Sequence, residues 1–195
     1  MQTNRFHTNR MVALAILAAI IVILQLFGSM IHIGPVSFSL VLVPIVIGSV
    51  LFGSGAGLFL GAVFGVITLV GCVSGADPGG FILWTANPLL TALVCLSKAM
   101  LAGFLSGFVY RYASGKTEFF GVLLAALTAP IVNTFVFCLA MFFPFRSVLT
   151  EWAGGTDLVQ YVLLSIVGLN FLVELSLNAL LCPGIYRIVA VRKRS

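Results

Sequence analysis

Six long apolar runs fill almost the whole chain, at about 11–27, 36–52, 57–73, 89–112, 119–145 and 158–186, separated by short polar or glycine-rich breaks. A helix needs roughly 20 apolar residues to cross a hydrocarbon core of about 30 Å. The pattern therefore predicts an all-α integral membrane protein, a bundle of six transmembrane helices forming one membrane domain over 1–195. The breaks differ in character. A glycine-containing stretch at 28–34 precedes Pro35, and 53–57 reads as a tight, uncharged glycine-rich turn. The stretch 74–88 is a wet loop with Asp77-Pro78-Gly79-Gly80, Trp84 and Asn87-Pro88, and 144–157 carries Trp152 and Gly154-Gly155. Pro44, inside the second run, lacks a backbone donor and is expected to kink or split that helix.

Polar side chains inside the apolar runs are few: Gln25, Lys98, Asn133, Asn170, Glu174 and Asn178. The last three are spaced four apart, and in a helix each such step advances only about 40°, which puts them on one narrow face over roughly 12 Å. An ionisable group near the middle of a span costs on the order of 2.5–3.5 kcal/mol on insertion scales, so it faces protein or water rather than lipid. Most of these residues fall in spans four to six. Spans one to three are built from small and branched aliphatic residues, which suggests a solute-binding half and a half offering smooth surface to a partner. Gly57, Gly61 and Gly65, and then Ala99, Gly103 and Gly107, recur at four-residue spacing, the pattern that lets helix backbones approach closely.

Composition agrees with the membrane reading. Of 195 residues, 61% are hydrophobic and 8% charged, against about 25% charged in a soluble domain. The net charge of +5 does not point to nucleic acid, because of where the charge lies. Arg5 and Arg10, Arg111 and Lys116, and Arg187, Arg192, Lys193 and Arg194 alternate with loops holding Asp77, Glu151 and Asp157, where Arg146 is the one basic residue. By the positive-inside rule both termini are cytoplasmic, which requires an even number of spans. The first run is long enough to span and has no small-residue cleavage site after it, so it is expected to be a helix rather than a signal peptide.

Several chemistries are excluded. Gly115-Lys116-Thr117 resembles the end of a nucleotide-binding loop, but the first glycine would have to stand where Tyr110 is, so no nucleotide site is expected. Ser54 sits in a glycine-rich turn without a base in reach, the histidines being His7 and His32, and no HExxH is present. Cys72, Cys95, Cys138 and Cys182 lack CxxC spacing and read as small core residues. The expectation is no catalytic residue, no metal and no cofactor. The polar residues keep alternative readings. Lys98 and Glu174 either neutralise each other or touch a solute; Asn133 either does so or satisfies the carbonyl freed by Pro130. Gln25 is expected to reach interfacial water, Asn178 to bond helix to helix, and Trp84 and Trp152 to anchor at the interface or line a site.

In order along the chain stand the alanine-rich first helix with Ala15-x-x-x-Ala19, the segment 39–57, and Asn87-Pro88 ahead of a helix with Lys98. Pro130-Ile131-Val132-Asn133-Thr134 follows, then Asn170-x3-Glu174-x3-Asn178 and Pro183. In that order over six spans the chain resembles the substrate-binding S components of energy-coupling-factor (ECF) vitamin transporters. The resemblance implies a vitamin held near the outer face, among helices four to six and the loops after helices one, three and five. Carried onto this chain those regions contain His32, Trp84, Asn87, Lys98, Asn133, Trp152, Asn170 and Glu174. It also implies docking of Ala15 and Ala19 against a transmembrane coupling subunit, two cytoplasmic ATPase subunits, a bacterial cell membrane location, and release by tipping of the whole subunit in the bilayer.

The substrate stays open at this point. Lys98 and Arg146 suit a carboxylate and Trp84 and Trp152 suit a ring; pantothenate is the first expectation, with folate or riboflavin behind it. Two other functions compete: a membrane scaffold subunit without a solute, and an autonomous secondary transporter.

Overall fold

With no water in the hydrocarbon core, each backbone N–H and C=O must be paired within the protein, and a helix does this locally. The computed structural model describes residues 2–28, 32–33, 36–37, 40–115 and 117–194, and of these the backbone alone at 2–7, 32–33, 36–37, 166–167, 169–170 and 192–194; Lys116 lies outside them. In chain order come α1 (Gln2–Gly28), the two-residue strands β1 (His32–Ile33) and β2 (Val36–Ser37), α2 (Leu42–Phe52), α3 (Ser54–Ser74) and α4 (Pro78–Ala86). α5 (Pro88–Ala113), α6 (Glu118–Phe142), α7 (Arg146–Ala153) and α8 (Leu158–Tyr161) follow, and a π-helical segment (Val162–Gly168) leads into α9 (Leu169–Arg194). Five of the described helices contain stretches long and apolar enough to cross a membrane, and α2 is a shorter apolar helix. The protein is an all-α membrane bundle of about six helices.

The second apolar run differs from its expected form. Helix begins only at Leu42, and Val36–Ser37 instead pairs antiparallel with His32–Ile33, His32 opposite Ser37. Eleven helical residues cover about 16 Å, roughly half the hydrocarbon thickness. Pro44 does not kink α2. It occupies the first turn, where its missing N–H would have had no intrahelical partner. A single residue, Gly53, then joins α2 to α3 with φ +91°. A Cβ there would meet nothing within 4 Å, so the backbone conformation, not space, calls for glycine.

Small residues draw α3 and α5 together. A Cβ added at Gly57 would run into the carbonyl of Gly103, one at Gly61 into the carbonyl of Ala99, and one at Gly65 would lie 2.7 Å from the carbonyl oxygen of Cys95. The glycine ridge of α3 is thus spent inside the bundle and is not a surface for a partner. A buried hydroxyl chain ties in α2 and α6: Ser49 Oγ stands 3.3 Å from Ser106 Oγ, which donates to the Ala125 carbonyl at 2.8 Å.

The apolar core has two parts. The larger joins Ile21, Leu42, Ile45, Leu60, Phe64 and Ala99 to Val122, Ala125, Ala126 and Ala129 of α6 and Cys182, Ile185 and Val189 of α9. The smaller joins Leu83 of α4, Ala140 and Met141 of α6, Phe145, Val148 and Leu149 of α7 and its N-terminal approach, and Val162. Arg10, Arg111 and Arg187 mark the end of the bundle nearer the larger cluster. Asp77, Glu151 and Asp157 mark the other end, so the positive-inside rule makes the smaller cluster the outer one.

Candidate functional site

Between the two apolar clusters lies a polar layer. On α5, Leu90 and Val94 pack on the outer cluster and Ala99 belongs to the inner one, with Lys98 at the boundary. On α6, Asn133 falls between Ala129 of the inner cluster and Ala140 of the outer. On α9, Glu174 and Asn178 precede Cys182 of the inner cluster, while Leu158, Tyr161 and Val162 ahead of them pack outside. Both apolar faces exclude water, so charges and amides in this layer act in a low dielectric and their hydrogen bonds are strengthened.

Lys98 is half-buried, and its Nζ stands 5.2 Å from the centroid of the Phe137 ring, a cation–π contact. Phe137 follows Asn133 by four residues, so Lys98 and Asn133 share one face of the α5–α6 contact. Glu174 is 5% exposed and Asn178 2%, and Asn178 Nδ2 donates to the Glu174 carbonyl at 2.8 Å. That bond stays within α9, so Asn178 bonds its own helix rather than a neighbour. Asn133 is 8% exposed and its Oδ1 meets no donor among the described residues. Among the described residues it forms no bond to a carbonyl freed by Pro130. Asn178 Oδ1 is likewise buried without a donor. Leaving a buried acceptor unpaired costs about 1–3 kcal/mol, so each such oxygen calls for a partner such as water or a ligand.

The outer end contributes differently than expected. Asn87 is exposed and acts as the N-cap of α5: its Oδ1 accepts from the Leu90 N–H at 3.1 Å, ahead of Pro88. Its role here is to start a helix. Trp84 on α4 and Trp152 on α7 are half-buried, and Trp152 packs on the outer apolar cluster with Leu83. Arg146, at the first position of α7, is exposed. His32 and Asn170 are placed by backbone alone, in β1 and α9, and their side chains lie outside the described residues. Ala15 and Ala19 lie apart from this layer, both exposed on α1.

Three features escaped the sequence. Gln25 does not reach interfacial water: it is buried, with Oε1 lacking a donor among the described residues. Asp77, which reads as an ordinary loop charge, stands at the N-cap position of α4 without a side-chain capping bond, its Oδ1 buried and lacking a donor among the described residues. A cavity of about 590 Å³ opens at the cytoplasmic ends of α2, α3 and α5, lined by Ser49, Ser54, Tyr110, Arg111 and Ser114 among others. Its lining comes from element ends far apart in sequence, which no local pattern signals. A second cleft, of about 280 Å³ between α6 and the π-helical segment, is lined mainly by apolar residues and faces outward.

The family model for the ECF transporter substrate-specific component matches residues 9–186. The chain is 31% identical over 183 residues to the pantothenic acid transporter PanT of Lactococcus lactis subsp. cremoris (strain MG1363), an alignment covering 88% of this chain and 89% of that protein.

Proposed function

Since the chain belongs to the family of ECF transporter substrate-specific components, a multi-pass cell-membrane family of vitamin-uptake subunits rather than enzymes, we propose that it captures pantothenate from outside the cell. Pantothenate carries one carboxylate, one secondary amide and two hydroxyls, and no ring. A site for it needs a cation and several amide or carboxylate acceptors; a site for folate or riboflavin needs a stacking surface.

The observation that carries the reading is the polar layer: one ammonium on α5, amide oxygens without donors on α6 and α9, and a buried carboxylate on α9. Lys98 pairs with the substrate carboxylate. Asn133 accepts a hydroxyl or amide proton, Glu174 holds a second hydroxyl, and Asn170 extends the same stripe. Trp84 and Trp152 close the outer side. The pantothenate transporter named above, related over most of both chains, favours the same substrate.

Capture becomes uptake through the energy-coupling module. Ala15 and Ala19 meet a transmembrane coupling subunit, and two cytoplasmic ATPases supply the energy that tips the subunit and releases its load inward.

Titration calorimetry of the purified protein with pantothenate, riboflavin and folate tests the assignment. Pantothenate alone should bind tightly. Lys98→Met should weaken it about ten- to a hundredfold, the range set by a hydrogen bond to a charged group worth roughly 1.5–3 kcal/mol. Tight binding of riboflavin or folate, or an unchanged affinity in Lys98→Met, would remove pantothenate or its anchor from the reading. No vitamin binding at all would leave the scaffold reading.

A further inference from the structure

Two cysteines that sequence spacing gives no reason to pair are brought together by the fold. Cys72, in the last turn of α3, and Cys95, in the second turn of α5, have their Sγ atoms 3.9 Å apart, both thiols free and both side chains buried. The approach depends on Gly65, because a Cβ there would lie 2.7 Å from the Cys95 carbonyl oxygen and 2.9 Å from the Leu96 Cα. α4 sits directly over the pair: a Cβ at Gly80 would collide with Cys72 Sγ and stand 2.9 Å from Asp77 Oδ2. Asp77 and Lys98 are the charges that both thiols feel. The pair therefore lies between the polar layer and α4, in the outer half of the membrane, on the side that meets the oxidising exterior.

We propose that Cys72 and Cys95 form a redox-sensitive dithiol that a small peroxide oxidises to a disulfide, unseating α4. The sulfur of one cysteine, as thiolate, attacks a peroxide oxygen; the O–O bond breaks, and the departing hydroxide takes up a proton to leave as water. The sulfenic acid so formed is attacked by the second thiol. The S–S bond forms, the S–O bond breaks, and a second water leaves with the thiol proton. Two thiols and one hydrogen peroxide thus give one disulfide and two waters, with two electrons passing from sulfur to peroxide.

Closure draws the sulfurs from 3.9 Å to a bonding distance of about 2 Å. Cys72 Sγ then leaves its seat against Gly80, and α4, which carries Trp84, loses that contact with α3 and is left held by Leu83 in the outer apolar cluster. The turn of α5 bearing Cys95 and Lys98 moves with it. An effect on capture rests on the pantothenate reading above; the disulfide and the release of α4 do not.

The full-length protein in detergent, treated with hydrogen peroxide and then alkylated, should yield a peptide joining Cys72 to Cys95. Cys72→Ser and Cys95→Ser should each abolish that peptide, and dithiothreitol should restore free thiols. Hydrogen exchange over residues 78–86 should be several-fold faster in the oxidised protein than in the reduced, and unchanged by peroxide in either serine variant. A crosslink that appears only after denaturation, or exchange over α4 that is the same in both forms, overturns the proposal. Pantothenate affinity should fall by about fivefold or more on oxidation, the lower end of ordinary coupling between sites. If the reduced protein does not bind pantothenate while crosslink and exchange behave as stated, the substrate assignment fails and the dithiol stands.

Discussion

A buried amide oxygen with no donor is a cost the folded protein carries, and Asn133 carries it in the middle of α6. Replacing Asn133 by leucine, similar in size, removes that cost of about 1–3 kcal/mol and so should raise the melting temperature of the ligand-free protein by several degrees. If the oxygen serves pantothenate, the same variant should lose most of the further rise that saturating pantothenate confers on the wild type. A thermal melt with and without vitamin reads both effects. A variant that is less stable alone, or that keeps the full ligand shift, would make Asn133 a structural residue. At this scale the burial of Asn133 and Glu174, and the half-burial of Lys98, were legible because polarity inside a span is expensive and so turns away from lipid. Asn87 by its type and place suits a cap and a ligand contact equally, and the structure shows the first of these through the bond from the Leu90 N–H. Asp77 was invisible because a carboxylate in a loop carries no such penalty until the fold buries it.

Elements were legible where length and hydropathy agree, and illegible where they do not. α3, α5 and α6 are long uniform runs with clear ends. α2 is cut short where Val36–Ser37 pairs as a strand, and α4 and α7 are brief helices within stretches that read as loop. The small-residue spacing announced close packing, but not which surface it served; the register of Gly57, Gly61 and Gly65 against Gly103, Ala99 and Cys95 settles that. The α3–α5 interface yields a direct prediction. Gly61→Ala puts a methyl against the Ala99 carbonyl and the Met100 Cα, backbone atoms that cannot step aside. Overpacking of this kind costs about 1–3 kcal/mol, several degrees in a detergent melt. Gly184→Ala in α9, where an added Cβ meets nothing within 4 Å, should be neutral or stabilise by roughly 0.5–1 kcal/mol. Equal melting temperatures for the two variants would mean that α3 and α5 are not locked as described.

Across the whole molecule, burial is uneven. Of the most apolar window in Thr8–Gly28, 17% is buried, against 44% for Ser54–Ser74, so α1 stands at the rim while α3 runs through the middle. α1 packs inward through Leu14, Leu17, Ala18, Ile21 and Leu24. Its outward face carries Val12, Ile16 and Ile23, with Ala15 and Ala19 exposed among them. Lipid alone could cover that face, but lipid has no use for alanine over leucine, whereas small residues admit a second helix at close range. The composition of the chain divided it into a binding half and a docking half. On the proposed reading the first falls to α5, α6 and α9, and the second to the rim helix α1. Ala19→Trp should therefore separate capture from transport. A side chain that points away from the bundle can grow without disturbing the polar layer, so pantothenate affinity in detergent should stay within about twofold of wild type. The same indole blocks helix–helix approach on the outer face. ATP-dependent uptake into vesicles holding the complete coupling module should then fall by at least about tenfold, the result of losing roughly 1.4 kcal/mol or more of docking free energy. Uptake at the wild-type rate would place the coupling surface elsewhere on the bundle, and a parallel loss of vitamin binding would mean that α1 supports the site rather than the partner.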